Sequence, residues 1–271
     1  MSYLSKLVDS TRARVAEAKE RVTADALEQR IAAADAARPF RSALMGPEVA
    51  IIGEIKRASP SKGVFDANLS ASATAADYAR GGAAALSVLT EPEFFRGSLE
   101  DLSSAASAGL PILRKDFILD EFQVLESRAA GADALLLIVR TLEDDELHEL
   151  MAASRSLGMD ALVEVHDLEE LTRALNAGAD LVGVNNRDLE TFEVDEERTA
   201  KLAGRVPDEV TLISLSGVSS RPDVEAQAEA GAHAVVVGEA LVRSDDPAST
   251  LRELRGVYRG VGSAGPQDYG G

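Results

Sequence analysis

The segments 130–139, AGADALLLIV, and 177–186, AGADLVGVNN, have the same layout. In each, a glycine ends an amphipathic, helix-like stretch, and three residues later an apolar run of strand length begins. The pattern appears four times, as GGAAAL, AGADAL, AGADLV and AGAHAV, with the helix-ending glycines at Gly82, Gly131, Gly178 and Gly231. Glycine suits this place because the residue that closes a helix often needs a left-handed backbone. The repeat is roughly fifty residues long, too long for a single βα unit and right for two. A second, unmarked unit is therefore expected between each marked pair.

Reading outward from these segments gives eight such runs. They are VAIIGEI from Val49, AALSVL from Ala84, PILRKDF from Pro111, ALLLIV from Ala134, ALVEV from Ala161, LVGVNN from Leu181, VTLISL from Val210 and AVVVG from Ala234. Each is too short for a buried helix and too continuously apolar for a strand with one wet face. Parallel strands covered on both sides look like this. Stretches such as EFQVLESRAAG and LEELTRALNAG separate them with helical periodicity. Eight strands alternating with helices predict a (β/α)8 barrel of class α/β. An open doubly wound sheet is the competing architecture, but no GxGxxG follows the first strand. Residues 1–47 precede the barrel and read as a helical extension of two or three helices. The expected domain is 1–258, followed by a disordered tail over 259–271 that includes GVGSAGPQDYGG.

Composition narrows the function. Hydrophobic residues make up 45% of the 271, enough for a large core. With no cysteine, disulfides, thiolate metal sites and a cysteine nucleophile are excluded. The three histidines, His148, His166 and His233, lie on unrelated segments, so no metal site is expected. Forty-six acidic residues against 28 basic give a net charge of −18, a field that repels nucleic acid and anionic membranes. No segment has the length and apolarity of a membrane span, and the N-terminus lacks the apolar core of a signal peptide. A cytoplasmic protein is expected.

Chemistry in such a barrel gathers at the C-terminal ends of the strands. Glu54 and Lys56, two apart at the end of the first strand, share one side. Lys115 ends the third strand, Glu164 the fifth, and Asn185 with Arg187 the sixth. Two lysines and two carboxylates thus converge on one mouth, where desolvation and mutual charge can tune acid and base groups. A single charge at a strand end is usually a structural ion pair. Four together are unusual where Val, Ile and Leu normally fill the barrel. Phe94 and Phe95, in the loop after the second strand, suit a pocket wall. Asn186 fits a turn. His166 reads as structural, beside Asp167 as the N-cap of the next helix. Gly217 and Gly238 follow the seventh and eighth strands, where backbone N–H groups commonly hold a phosphate. A phosphorylated small molecule is therefore the expected ligand.

The segments EIKRASPSKG, LSVLTEPEFFRGSLEDL, LPILRKDFILDEFQVLESRAAGADALLLI, LVEVH and GVNNRDLETFEVD, in order from about Tyr3 to Arg255, resemble the indole-3-glycerol phosphate synthase family. The resemblance implies a carboxy-lyase of tryptophan biosynthesis, built as a (β/α)8 barrel with an N-terminal helical extension. Such enzymes convert 1-(2-carboxyphenylamino)-1-deoxyribulose 5-phosphate to indole-3-glycerol phosphate, CO2 and water. It implies no metal and no organic cofactor, and a monomer whose only partners beyond substrate are weak contacts with other enzymes of the pathway. By the same resemblance Lys115 is the acid of ring closure and Lys56 balances substrate charge. Glu54 and Glu164 do base work. Asn185 and Arg187 orient substrate, and Ser59 closes the first-strand side. Phe95, Phe117, Leu136, Leu189 and Val237 form the anthranilate pocket. Ser216, Gly217, Gly238 and Glu239 match the phosphate segments, Glu239 through its backbone amide.

One position departs from the family. Where members carry Glu-Ser-Gly after the seventh strand, this chain has Leu215-Ser216-Gly217. A hydrogen bond to a charged group is worth about 1.5–3 kcal/mol. Its loss from the transition state would slow the reaction by roughly 10- to 150-fold. Leu215 is therefore expected to cost rate, and Leu215→Glu to restore some. The alternative to a working enzyme is a weakened or inactive phosphate-binding barrel kept as an interaction partner. Retention of Glu54, Lys56, Lys115 and Glu164 speaks against it, since buried charges are costly.

Overall fold

The computed structural model of the chain describes residues 3–260. Of the tail expected over 259–271, the first two residues are described and held, Arg259 donating its backbone N–H to the Pro47 carbonyl and Gly260 to that of Ala228, and 261–271 lies outside the described residues. Eight parallel strands close on themselves: β1 (Ala50–Ile55), β2 (Ala85–Leu89), β3 (Ile112–Lys115), β4 (Ala134–Ile138), β5 (Asp160–Val165), β6 (Leu181–Asn185), β7 (Thr211–Leu215) and β8 (Ala234–Val237). Closure comes from β1, which pairs with β8 (Ile51 opposite Val235) and with β2 (Gly53 opposite Leu86). The expected barrel is the observed one.

Alternation along the strands divides the core in two. Ile52, Leu113, Leu136, Leu162, Leu181, Ile213 and Val236 fill the lumen. Ile51, Leu86, Leu135, Val163, Val182, Leu212 and Val237 instead face the surrounding helices. Those helices include α4 (Ala71–Gly81), α5 (Leu99–Ala105), α6 (Glu121–Ala129), α7 (Asp144–Ser156), α8 (Leu168–Asn176), α9 (Arg198–Ala203), α10 (Arg221–Glu229), α11 (Glu239–Val242) and α12 (Pro247–Leu254). Gly82, Gly131, Gly178 and Gly231 all have positive φ at the ends of α4, α6, α8 and α10, as their repeat required. None of the helices among the described residues is long and apolar enough to cross a membrane.

The extension forms three helices, α1 (Tyr3–Arg21), α2 (Ala24–Ala32) and α3 (Phe40–Ala43), and reaches both ends of the barrel. Leu7 of α1 is buried with the luminal cluster at the catalytic end, and Phe40 with Leu44 joins the same cluster from below. At the lower end Arg41 donates through its backbone to Asp160, and through its side chain to Thr211, Asp180 and the carbonyl of Glu209. Asp133, the aspartate of the AGAD repeat, is buried. It accepts the backbone N–H groups of Arg38 and Ile112, both at 2.8 Å, and Nε of Arg38 at 2.9 Å. One carboxylate thus ties the extension to the start of β3. Asp133→Ala leaves those donors without their acceptor and is expected to lower stability by about 2–3 kcal/mol. Urea unfolding checks this, and a loss below about 0.5 kcal/mol would show that water replaces the carboxylate.

Candidate active site

On β1, Ile52 and Glu54 point into the lumen, and Lys56 follows on the same side just past the strand end. Lys56 Nζ donates to Glu54 Oε2 at 2.5 Å. It also lies 5.6 Å from the centroid of the Phe65 ring, which the guanidinium of Arg243 approaches to 5.0 Å. Burial pushes the Glu54 carboxyl up, but Lys56, then Lys115 and Arg187, hold it below the usual carboxylate range. Arg57 anchors the loop beyond through paired bonds to Asp101 and one to the carbonyl of Leu69.

A second pair stands across the lumen. Lys115 Nζ donates to Glu164 Oε2 at 3.3 Å, and Asn185 Nδ2 donates to Glu164 Oε1 at 2.9 Å. Burial again raises the Glu164 carboxyl, but Lys115, His166 and the Asn185 bond outweigh it, so Glu164 is held low and ionised. Lys115 is aimed by its neighbours in sequence, which point the other way. Arg114, fully buried, donates to Thr90, to the carbonyl of Gln123, and to Glu126, Ser127 and Asp116. Asp116 also accepts from Thr90, from Arg14 of α1 and from the backbone of Phe117. The strand end is clamped on the helix side, and the lysine between the clamped residues faces the cleft.

Glu91 shapes the loop after β2. Its buried carboxylate accepts the backbone N–H groups of Glu93, Phe94 and Phe95, which sets Phe95 against the cleft. Gly97 is required there, because a Cβ would collide with the carbonyl of Leu89. After β6, Asn186 is more than a turn residue. Its Nδ2 donates to Ser214 Oγ and to the Ser216 carbonyl, and its Oδ1 accepts the Thr199 backbone N–H and hydroxyl. This bracket helps hold Ser216 at φ 65° beside Gly217 at φ 84°, a left-handed pair that turns the chain after β7.

The resulting cleft opens to solvent at its mouth and encloses about 880 Å³ of unfilled space, solvent included. Glu54, Lys56, Ser59, Lys115, Glu164, Asn185, Arg187, Ser216 and Glu239 line it, with Phe95, Phe117, Leu136 and Leu189 as its apolar wall. Gly217 and Gly238 border the adjoining recess after β7 and β8, which also holds Lys62 and Arg243. The Glu239 carboxylate pairs with Arg243 at 3.0 Å, leaving its backbone amide to the recess. Val237 is a correction: it faces the helix layer, and Val236 borders the recess instead. An alternating strand that sends Gly238 to the lumen sends Val236 there too. Tyr3 and Leu7 of α1, with Phe192 after β6, complete the wall and were not expected. Tyr3 packs edge-on against Phe94 at 5.3 Å and Phe192 at 5.0 Å. The i, i+4 spacing of Tyr3 and Leu7 on one helix face was the available signal.

A closed (β/α)8 barrel with paired acid/base groups at its C-terminal mouth and an adjoining glycine-bordered recess has the build of an enzyme acting on a small phosphorylated ligand. Solved structures of similar fold include 3-hexulose-6-phosphate synthase from Salmonella typhimurium (TM-score 0.61, 15% identity, 76% of this chain and 96% of that one). Another is the thiamine phosphate pyrophosphorylase from Pyrococcus furiosus (TM-score 0.58, 16% identity, 79% and 95%). At these identities the likeness is one of fold alone. Residues 4–254 match the family model of indole-3-glycerol phosphate synthase. The synthase of Streptomyces griseus is 45% identical over 94% of this chain and 95% of its own length. Indole-3-glycerol phosphate synthase 1 of Streptomyces coelicolor is 46% identical with the same coverage. The chain belongs to the indole-3-glycerol phosphate synthase family. The alternative of an inactive barrel finds no support among these relatives.

Two substitutions test the site. Gly238 has no side chain because a Cβ would strike Glu54 Oε2 and come within 2.9 Å of Lys56 Nζ. Gly238→Val is therefore expected to raise KM and also lower kcat by at least tenfold, because it disturbs the ion pair as well as the recess. Steady-state kinetics would show this, and a change in KM alone would separate the two features. At Leu215 the structure bears on the lysines, one of the two partners the absent carboxylate was expected to hold, a substrate hydroxyl being the other. Lys56 and Lys115 each already hold a carboxylate, and the leucine is buried in the luminal layer beside Leu162, over Gly183. Leu215→Glu would place a further charge among leucines, so thermal stability is expected to fall and kcat/KM not to rise. A several-fold gain in kcat/KM would show that the barrel still has use for that carboxylate.

Proposed function

We propose that this cleft closes and decarboxylates 1-(2-carboxyphenylamino)-1-deoxyribulose 5-phosphate to give indole-3-glycerol phosphate, CO2 and water. The observation that carries the reading is the pairing of Lys115 with Glu164, and of Lys56 with Glu54, at one mouth beside an apolar wall. The anthranilate ring lies against Phe95, Phe117, Leu136 and Leu189, with Val236 in the place first given to Val237. Backbone N–H groups near Ser216, Gly217, Gly238 and Glu239 take the phosphate. Lys56 offsets substrate charge, and Ser59, Asn185 and Arg187 orient the open-chain sugar.

Ring closure joins the carboxylate-bearing ring carbon to the ketone carbon, and the ketone oxygen needs a proton. The Lys115 ammonium supplies it from the strand end that Arg114 and Asp116 clamp. Loss of CO2 returns its bonding pair to the ring and restores aromaticity. Dehydration then needs an acid for the departing hydroxyl and a base for the proton on the adjacent carbon. Glu54 and Glu164, both held as carboxylates, do the base work. All of these groups come from one chain, consistent with a monomer as the working unit.

Indole fluorescence should appear when the purified protein meets the carboxyphenylamino-deoxyribulose phosphate. Lys115→Ala is expected to lower kcat by about 100-fold or more, the usual scale for losing a general acid, with a much smaller change in KM. A variant that keeps over half of wild-type turnover would remove Lys115 from this role.

A further inference from the structure

His166 lies just beyond β5, two residues from Glu164 and on the same side, buried under the cleft. Its partners fix where its protons sit. The backbone N–H of His166 donates to Glu170 Oε2 at 2.7 Å, and ring atom Nδ1 lies 3.0 Å from the same oxygen. Glu170 Oε1 accepts Nε of Arg140 at 2.8 Å. Burial pushes the Glu170 carboxyl up, but the bonds from His166 and Arg140 hold it low, so it is a carboxylate and can only accept. Nδ1 therefore carries its hydrogen towards Glu170. That leaves Nε2, which completes no hydrogen bond in the structure and lies 3.4 Å from Glu164 Oε1.

A bare Nε2 would set a lone pair against a buried carboxylate oxygen, two acceptors facing each other away from water. A proton between them removes the conflict. The surrounding charges favour keeping one. Glu164 and Glu170 flank the ring directly, with Lys115 on the far side of Glu164 and Arg140 behind Glu170. Asp167 and Asp188 lie 4.0 and 3.8 Å from Arg140. Glu164, Glu170, Asp167 and Asp188 thus meet Lys115 and Arg140 around one imidazole. We propose that His166 carries a second proton, on Nε2, directed at Glu164 Oε1, which makes His166 the positioning residue for Glu164. With the proton on Nε2, Glu164 is a carboxylate whose Oε1 is pinned by His166 and Asn185. Its Oε2, beside Lys115, is turned to the cleft. When Oε2 takes the proton from the substrate carbon, the C–H pair goes into the new double bond as the hydroxyl leaves. The Nε2–H still holds Oε1, so the acid formed does not rotate away.

The inference rests on Glu164 as a base, so its test includes a readout independent of turnover. The chain has three histidines, and the His166 ring signals are those lost in His166→Gln. In nitrogen-15 spectra of the wild-type protein at neutral pH, both ring nitrogens of His166 are expected to carry protons. In Glu164→Gln only Nδ1 should. A wild-type ring protonated on Nδ1 alone overturns the proposal. In turnover, His166→Gln removes positive charge beside Glu164 and raises its pKa. The base form is then lost at higher pH on acidification. The acid limb of kcat should move up, with activity at pH 6 falling at least tenfold further below that at pH 8 than in wild type, and KM within threefold. A superimposable kcat profile overturns the part of His166 in the reaction. Full turnover by Glu164→Gln, with both ring nitrogens protonated in the wild-type protein, would strike the base assignment and leave the Nε2 proton standing.

Discussion

A closed barrel allows each strand two destinations for its side chains, the lumen or the helix layer, and they alternate without exception along a regular strand. The luminal apolar residues set that parity from the bottom of each strand. Ile52 commits Glu54, Leu113 commits Lys115, Leu162 commits Glu164, and Leu181 commits Asn185. The packing of the core and the aim of the reactive groups are therefore one constraint. A one-residue slip in β3 would send Lys115 into the helix layer and Arg114 into the cleft, exchanging the places of a buried clamp and a cleft-facing lysine.

That coupling explains why so much could be read in the chain. Continuous apolar runs and a glycine repeat report a covered parallel sheet, and charged residues at the run ends report the mouth. Parity errors are the natural failure. The resemblance puts Val237 in the pocket, although alternation gives that place to Val236. Contacts between distant elements were not legible at all. Nothing local to Tyr3 signals that its ring meets Phe94 and Phe192, and nothing in DLEE signals that Glu170 reaches back to His166. Leu215 shows the same limit. Its substitution reads as a missing partner, and the sequence does not signal that each lysine has a carboxylate of its own.

Residues given no part in the chemistry determine much of the cleft's shape. Asn186, Glu91, Asp116 and Arg114 are buried polar groups whose bonds run to backbone and to neighbouring side chains. Each fixes the exit of a strand. Because such groups are costly unless fully paired, they tolerate few alternative geometries. The mouth inherits that rigidity, while the apolar wall above it, partly built by α1, does not share it.

The attachment of α1 is graded along its length, and this has a consequence in strong electrolyte. Its first turns are seated by Leu7 in the luminal cluster and by the Tyr3 ring contacts, interactions indifferent to ions. Further along, the ties are Arg14 to buried Asp116 and then Lys19 to Asp120, the latter pair both open to solvent. Mobile ions screen exposed pairs well and buried ones poorly. As ionic strength climbs, the helix should peel from its far end towards the cleft, so that the part roofing the substrate is the last to let go. For a chain with a net charge of −18, the roof is anchored where salt has the least hold.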